Sequence, residues 1–402
     1  MKRLGILAAV LLTSTAAAAD RKYIQVEGTL DAVATPADLA DPPEDAPYEP
    51  AVYAGAKQMS MSLAFIDYAR SGLDLLYKRQ YRDVRGYFAE LEEVYPGTAV
   101  SSIADMLVWQ SVMLENFDFR HDAQYKAASE AAERKLTAAL EVPGNESWEH
   151  FMLAGVVGIE SIHAARQGRY LPALTLAFKA IDHVEKVREN SPDFVDLKLA
   201  DGLYNYWRTV LTKKSKALPD FGDKREEGIT QVQDVEDNGI FLAPPATLSM
   251  AFTWIEERDY AKAVASCERN QAKYPNNLIN ELMLGITRLY QRDYDGSLTA
   301  LDHVLELDKK NKRARYYKGL ALFRSGQIEP SMVEFETYLA SDYLEDYQRA
   351  AAHYRMGAAL YKLDRYDEAE TAYKAAVKIN GHSSAKASLD QMKKARKEGK
   401  IP

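Results

Sequence analysis

Small residues return at a fixed interval through the last third of this chain. Ala251, Gly285, Gly319 and Gly357 follow one another at 34, 34 and 38 residues, and Ala263, Ser297, Ser331 and Ala369 keep the same intervals. Three residues before each member of the second set stands Tyr260, Tyr294, Ile328 or Tyr366. Four residues after it stands Cys267, Leu301, Phe335 or Tyr373. A step of four is one turn of helix. The pattern describes a helix hairpin: small residues at the crossing let two helices approach, and a bulky residue one turn on fills the space beside it. Turn signals separate the two helices at Arg258-Asp259, Arg292-Asp293, Gly326-Gln327 and Asp364-Arg365, and Pro275 stops the second helix of the first unit. One such hairpin cannot bury its apolar face alone, so repetition commits the chain to stacking neighbours.

These spacings, with the segments Asp259-Tyr260-Ala261-Lys262-Ala263 and Arg365-Tyr366-Asp367-Glu368-Ala369, resemble the tetratricopeptide repeat, a 34-residue helix-turn-helix family. The resemblance covers residues 244–381 as four units. It departs from the family at the closing proline, which stands only at Pro275 and is replaced by Lys309, Tyr343 and Gly381. The implied fold is all-α, a solenoid of helix hairpins.

The N-terminal half follows the same grammar less regularly over residues 51–240. Gly72, Tyr81, Phe88 and Pro96 fit one unit, and Gly168, Tyr170, Ala173 and Ala180 fit the turn and second helix of another. Helices are expected over Ile103–Glu115 and Gln124–Leu140 with an irregular loop at Phe117–Asp122, then over Asp193–Leu211 and Lys224–Asp237. Asp201-Gly202-Leu203-Tyr204 and the stretch Leu218–Ile229 are similar to the tetratricopeptide-39 family, a resemblance that implies no catalytic residue. The expected total is about eight helix pairs and a capping helix near Ser384–Arg396, within a 382–402 cap and basic tail.

The first nineteen residues read as an export signal: Lys2 and Arg3, an apolar run from Leu4 to Leu12, and a small-residue exit at Ala17-x-Ala19. That run is too short to span a bilayer. Residues 20–50 hold Pro36, Pro42, Pro43, Pro47 and Pro50 among eight acids, and read as an extended tether with a short strand near Tyr23–Val26. The single cysteine, Cys267, cannot form an internal disulfide. A large helical array does without one, and the expected compartment is a Gram-negative periplasm. Formal charge is −8 for the whole chain, and most of it lies in the tether. No basic face of the kind nucleic acid requires is present, and nucleic acid is not an expected partner.

Motifs for chemistry are sparse. Walker, G-x-S-x-G, H-E-x-x-H and Cys-x-x-Cys patterns do not occur. Glu160-x-x-His163 is half of a di-iron motif whose second half is missing. Asp293-Tyr294-Asp295-Gly296 imitates the start of a calcium loop but sits on an inter-helix turn. No metal, cofactor or catalytic residue is therefore expected. Binding remains. In the tetratricopeptide family the concave face, lined by the first helix of each unit, takes the partner, which here implies Arg313, Tyr316, Tyr317, Arg324, Tyr354 and Arg355. Leu248 and Phe252 replace the lysine and asparagine of the family's chaperone-tail clamp, so that partner is not implied. The expected function is a periplasmic scaffold for a protein or peptide, favouring an acidic or C-terminal carboxylate segment, and working among envelope or transport machinery. Two other readings stay open. A small-ligand or lipid carrier would use a pocket at Tyr204, Tyr206 and Trp207, and an α/α-toroid enzyme would need two converging carboxylates.

Overall fold

In this computed structural model, residues 58–59, 63–142, 146–214 and 222–402 are described. The expected signal (1–19), the tether (20–50) and its strand near Tyr23–Val26 lie outside them.

Seventeen helices occur among the described residues, eight hairpins and a final single helix. The hairpins are α1 (Leu63–Tyr77) with α2 (Tyr81–Val94), α3 (Val100–Asn116) with α4 (Asp122–Ala139), and α5 (Glu146–Arg166) with α6 (Tyr170–Asn190). Next come α7 (Leu197–Lys214) with α8 (Arg225–Asn238), α9 (Ala243–Glu256) with α10 (Tyr260–Lys273), and α11 (Leu278–Gln291) with α12 (Tyr294–Leu307). The last are α13 (Lys312–Arg324) with α14 (Ile328–Leu339) and α15 (Asp346–Lys362) with α16 (Tyr366–Asn380), closed by α17 (Ser383–Lys397). The fold is all-α, with the number of pairs and the capping helix expected from the sequence.

The crossings are built as the spacing requires. A Cβ on Gly285 would lie 2.8 Å from Leu301, one on Gly319 2.8 Å from Phe335, and one on Gly357 2.7 Å from Tyr373. Sixteen residues separate glycine and filler each time, and Gly72 with Phe88 repeats the arrangement at 2.6 Å. Cys267 holds the filler position of its own unit and is fully buried.

The turns share one lock. Arg79, Gly168, Arg258, Arg292, Gly326 and Asp364 each end a first helix at positive φ. In each, that residue's N–H and the next one's N–H bond back to the closing carbonyls, as in Arg258 to Ile255 O and Asp259 to Trp254 O. Second helices start two residues later, and Asp259 and Asp293 cap two of them by accepting from the Lys262 and Gly296 N–H groups.

The chain divides into two compact units. One holds the described residues through Ser111 together with His121–Asn280. The other holds Val112–Arg120 and Glu281–Pro402. In the second unit consecutive helices pack in order, and α13 also touches α15, so first helices of successive hairpins lie side by side.

Candidate functional site

On α13, Arg313, Tyr317 and Arg324 fall at helical spacing on one face, and on α15 the same holds for Tyr347, Tyr354 and Tyr361. Rings and cations alternate across this face. Arg324 lies 5.9 Å from the Tyr290 ring centroid, Lys362 Nζ 4.5 Å from that of Phe323, and Arg355 5.2 Å from that of Tyr354. Tyr354 in turn stacks on His382 at 4.9 Å. Among the described residues no carboxylate pairs with Arg324, Arg355 or Lys362, and Arg355 Nε is buried without a hydrogen-bond partner. Arg324 and Lys362 are exposed, and Tyr354 and Arg355 are half-buried.

The N-terminal end of the same face is already filled. Residues 112–120 bring the last turn of α3 and the loop after it against α13 and α15. Phe117 takes positive φ, and the Asp118 and Phe117 N–H groups bond back to Met113 O and Leu114 O. This is the lock used at the other turns, but α4 starts only at Asp122, so the connection is longer here. Helix ends leave carbonyls unpaired, and side chains of the array supply the donors. Arg313 donates to Leu114 O at 3.3 Å, Asn311 to Glu115 O at 3.2 Å, and Gln348 to Phe117 O at 3.0 Å. The Arg313 guanidinium lies 4.8 Å from the Phe117 ring centroid. Lys312 Nζ meets Asp118 at 2.7 Å with both side chains almost fully enclosed, and it also donates to Tyr343 O at 2.5 Å. Burial alone would raise the Asp118 carboxyl, but hydrogen bonds from Arg120 and Lys312 hold it below the ordinary carboxylate range.

The six expected groove residues therefore separate. Arg313 and Tyr317 are half-buried, Arg313 against the Leu114–Phe117 turn. Tyr316 turns into the interior against Phe335 and Tyr338, with ring centroids 6.0 and 5.2 Å away. Arg324, Tyr354 and Arg355 make their ring contacts away from that turn, with Tyr290, Phe323 and Lys362. Sequence reasoning missed Asp118 and Lys312 as a pair. The one visible signal was the irregular loop at Phe117–Asp122.

The aromatic group expected to line a pocket is core in two of its three members. Tyr206 and Trp207 are buried with Val210, and Tyr206 Oη donates to Glu257 at 2.8 Å. Tyr204 is half-buried with the Arg208 guanidinium 4.9 Å from its centroid. Beside them is an open recess lined by Val210, Lys213, Arg225, Glu256, Glu257 and Arg258. Its charges already answer one another, Arg225 with Glu257 at 3.1 Å and Lys213 with Asp223.

Glu160 and His163 turn to different partners. Glu160 accepts from Ser129 at 2.5 Å, whereas His163, 3% exposed, meets Asp122 at 2.6 Å and stacks on Tyr125. Among the described residues no three His, Cys, Asp or Glu side chains converge on a metal position. No described helix is long and apolar enough to cross a membrane.

Comparison with known proteins finds the repeat in two stretches of the chain. Residues 282–329 and 350–383 match family models described as tetratricopeptide repeat. No curated protein matches the sequence. Among solved structures the chain is similar to a tetratricopeptide repeat protein from Parabacteroides merdae, at 14% identity and TM-score 0.40, over 70% of this chain and 97% of that one. It is also similar to YrrB, described as a TPR protein with an unusual peptide-binding site, at 15% identity and TM-score 0.36, over 52% and 97%. A third is MamA AMB-1, at 19% identity and TM-score 0.33, over 47% and 97%.

Proposed function

The chain carries tetratricopeptide repeats, and on that premise we propose that it is an exported scaffold that binds an acidic protein segment on the concave face of α11, α13 and α15. The carrying observation is the set Arg324, Arg355 and Lys362: three cations laid against aromatic rings, with no carboxylate among the described residues answering them. Arginine pairs with carboxylates in two-point geometry, and arginine with tyrosine is the usual anchor of an interface. An acidic or C-terminal carboxylate segment is the ligand that such a surface favours. The same face offers an internal precedent, since Lys312 and Arg313 already hold the Asp118 carboxylate and the Leu114 carbonyl. The lysine–arginine start and Ala17-x-Ala19 exit support export to the periplasm, where the scaffold would serve envelope or transport machinery. Binding, not catalysis, is the role that this reading assigns. The carrier alternative has less support, because Tyr206 and Trp207 are committed to the core.

Affinity capture from an envelope fraction tests the reading. Wild-type chain should retain a defined partner that the Arg324→Ala/Arg355→Ala double variant releases, at unchanged helicity and melting temperature. Equal recovery by both would remove the groove from consideration.

A further inference from the structure

In the first unit, α5 and α6 pack along each other and bring together two histidines that lie far apart in sequence. His150 stands in the first turns of α5 and His183 in the second half of α6, both half-buried. Their Nδ1 atoms are 3.0 Å apart, and the rings are tilted 36° with centroids 5.2 Å apart. At that separation one Nδ1 carries a proton and the other presents a bare lone pair. Neutral imidazole is the form that ligates metal.

We propose that His150 and His183 form a two-imidazole site for a divalent first-row transition ion of the zinc, nickel or copper class. Metal–imidazole bonds of about 2.0–2.1 Å at a tetrahedral angle set the two nitrogens about 3.3 Å apart. The observed 3.0 Å asks for a parting of a few tenths of an ångström and a small ring rotation, after which both lone pairs converge beside the present hydrogen bond. On binding, the ring that holds the shared proton releases it from Nδ1 to solvent and takes one from solvent at Nε2, so that both Nδ1 atoms face the ion, both rings stay neutral and no net proton is released. Glu146, one turn before His150, and Glu189 supply negative charge near that ring, opposed by Lys186. Around His183 stand Asp182 and Glu133, with Lys179 paired to Glu133. No third ligand side chain converges among the described residues, so water completes the shell and the ion exchanges readily. Imidazole donors select zinc, copper or nickel over magnesium and calcium, which take oxygen.

Purified full-length chain titrated with Ni2+ and with Zn2+ by calorimetry should show one saturable site, insensitive to excess Mg2+. His150→Ala and His183→Ala should each weaken it on the order of tenfold or more, the loss of one of two chelating groups. X-ray absorption at the metal edge of the loaded wild-type chain gives a second readout that does not depend on the variants folding. Two imidazole shells are expected. An all-oxygen shell, no saturable binding below about 1 mM, or identical titrations for wild type and both folded variants would each overturn the assignment.

Discussion

His163 illustrates how one side chain couples this fold to pH. It is buried, donates from Nε2 to Asp122, and faces the Gln110 amide through Nδ1 at 3.3 Å. Burial chiefly drives its pKa down to about 4, from an ordinary value of 6.5. The unfolded chain therefore binds a proton between those values that the folded chain refuses. The contribution is complete above pH 6.5 and is lost as the pH falls towards 4. Burial alone would raise Asp122, but hydrogen bonds from Lys126 and His163 lower it, so its own contribution is lost only below about pH 3.8. Denaturant unfolding at pH 7 and pH 4 should show wild type losing up to about 3 kcal/mol more than His163→Gln. Equal losses would mean that His163 is not the coupled group. His150 and His183 share the direction, and the comparison cancels them because both proteins carry them. At this scale the sequence was a partial guide. The helical face of Arg313, Tyr317 and Arg324 follows from spacing alone. That Asp118 would reach Lys312 does not, because a long-range ion pair leaves no periodic trace.

Helix crossings explain both the legible and the obscure repeats. Where a glycine meets a bulky residue sixteen positions on, as in Gly319 with Phe335, the period is visible. In α5 and α6 the small position is Ser161, whose Oγ donates to Ala173 O at 2.7 Å, so the turn and second helix of that unit were legible and its first helix, lacking the glycine, was not. In α7 and α8 two glycines meet: a Cβ on Gly202 would lie 2.7 Å from Gly228 O, and one on Gly228 2.5 Å from Gly202 O. A longer connection separates them, so no 34-residue spacing survives. The crossings also set the sign of a simple substitution. Gly86 lies on exposed α2 surface with nothing near its Cβ position, so Gly86→Ala should stabilise by about 0.5–1 kcal/mol through helix propensity. Gly319→Ala should instead destabilise, by about 1–3 kcal/mol, because the fully buried Phe335 ring has nowhere to go. Melting curves of the two variants shifting in the same direction would refute this assignment of helix faces.

At the scale of the whole molecule, repetition dictates the all-α class and the number of hairpins, while the division into two compact units at Asn280 and Glu281 falls inside the expected four-repeat array. A hydrophobic period reports how hairpins recur and is blind to where one core ends and the next begins. The export signal remains an inference from charge, apolar length and the small-residue exit. N-terminal sequencing of periplasmic material should begin at Asp20, and intact Met1 would contradict it. The central claim concerns the groove: its open part takes an acidic segment through Arg324 and Arg355. The most direct measurement is selection from a random peptide library with purified chain, followed by fluorescence anisotropy of the selected peptide with wild type and the Arg324→Ala/Arg355→Ala variant. The account predicts peptides rich in Asp and Glu or dependent on a free C-terminal carboxylate, bound at least about tenfold more weakly by the variant at unchanged melting temperature. Selected peptides without acidic character, or equal affinity for both proteins, would contradict it.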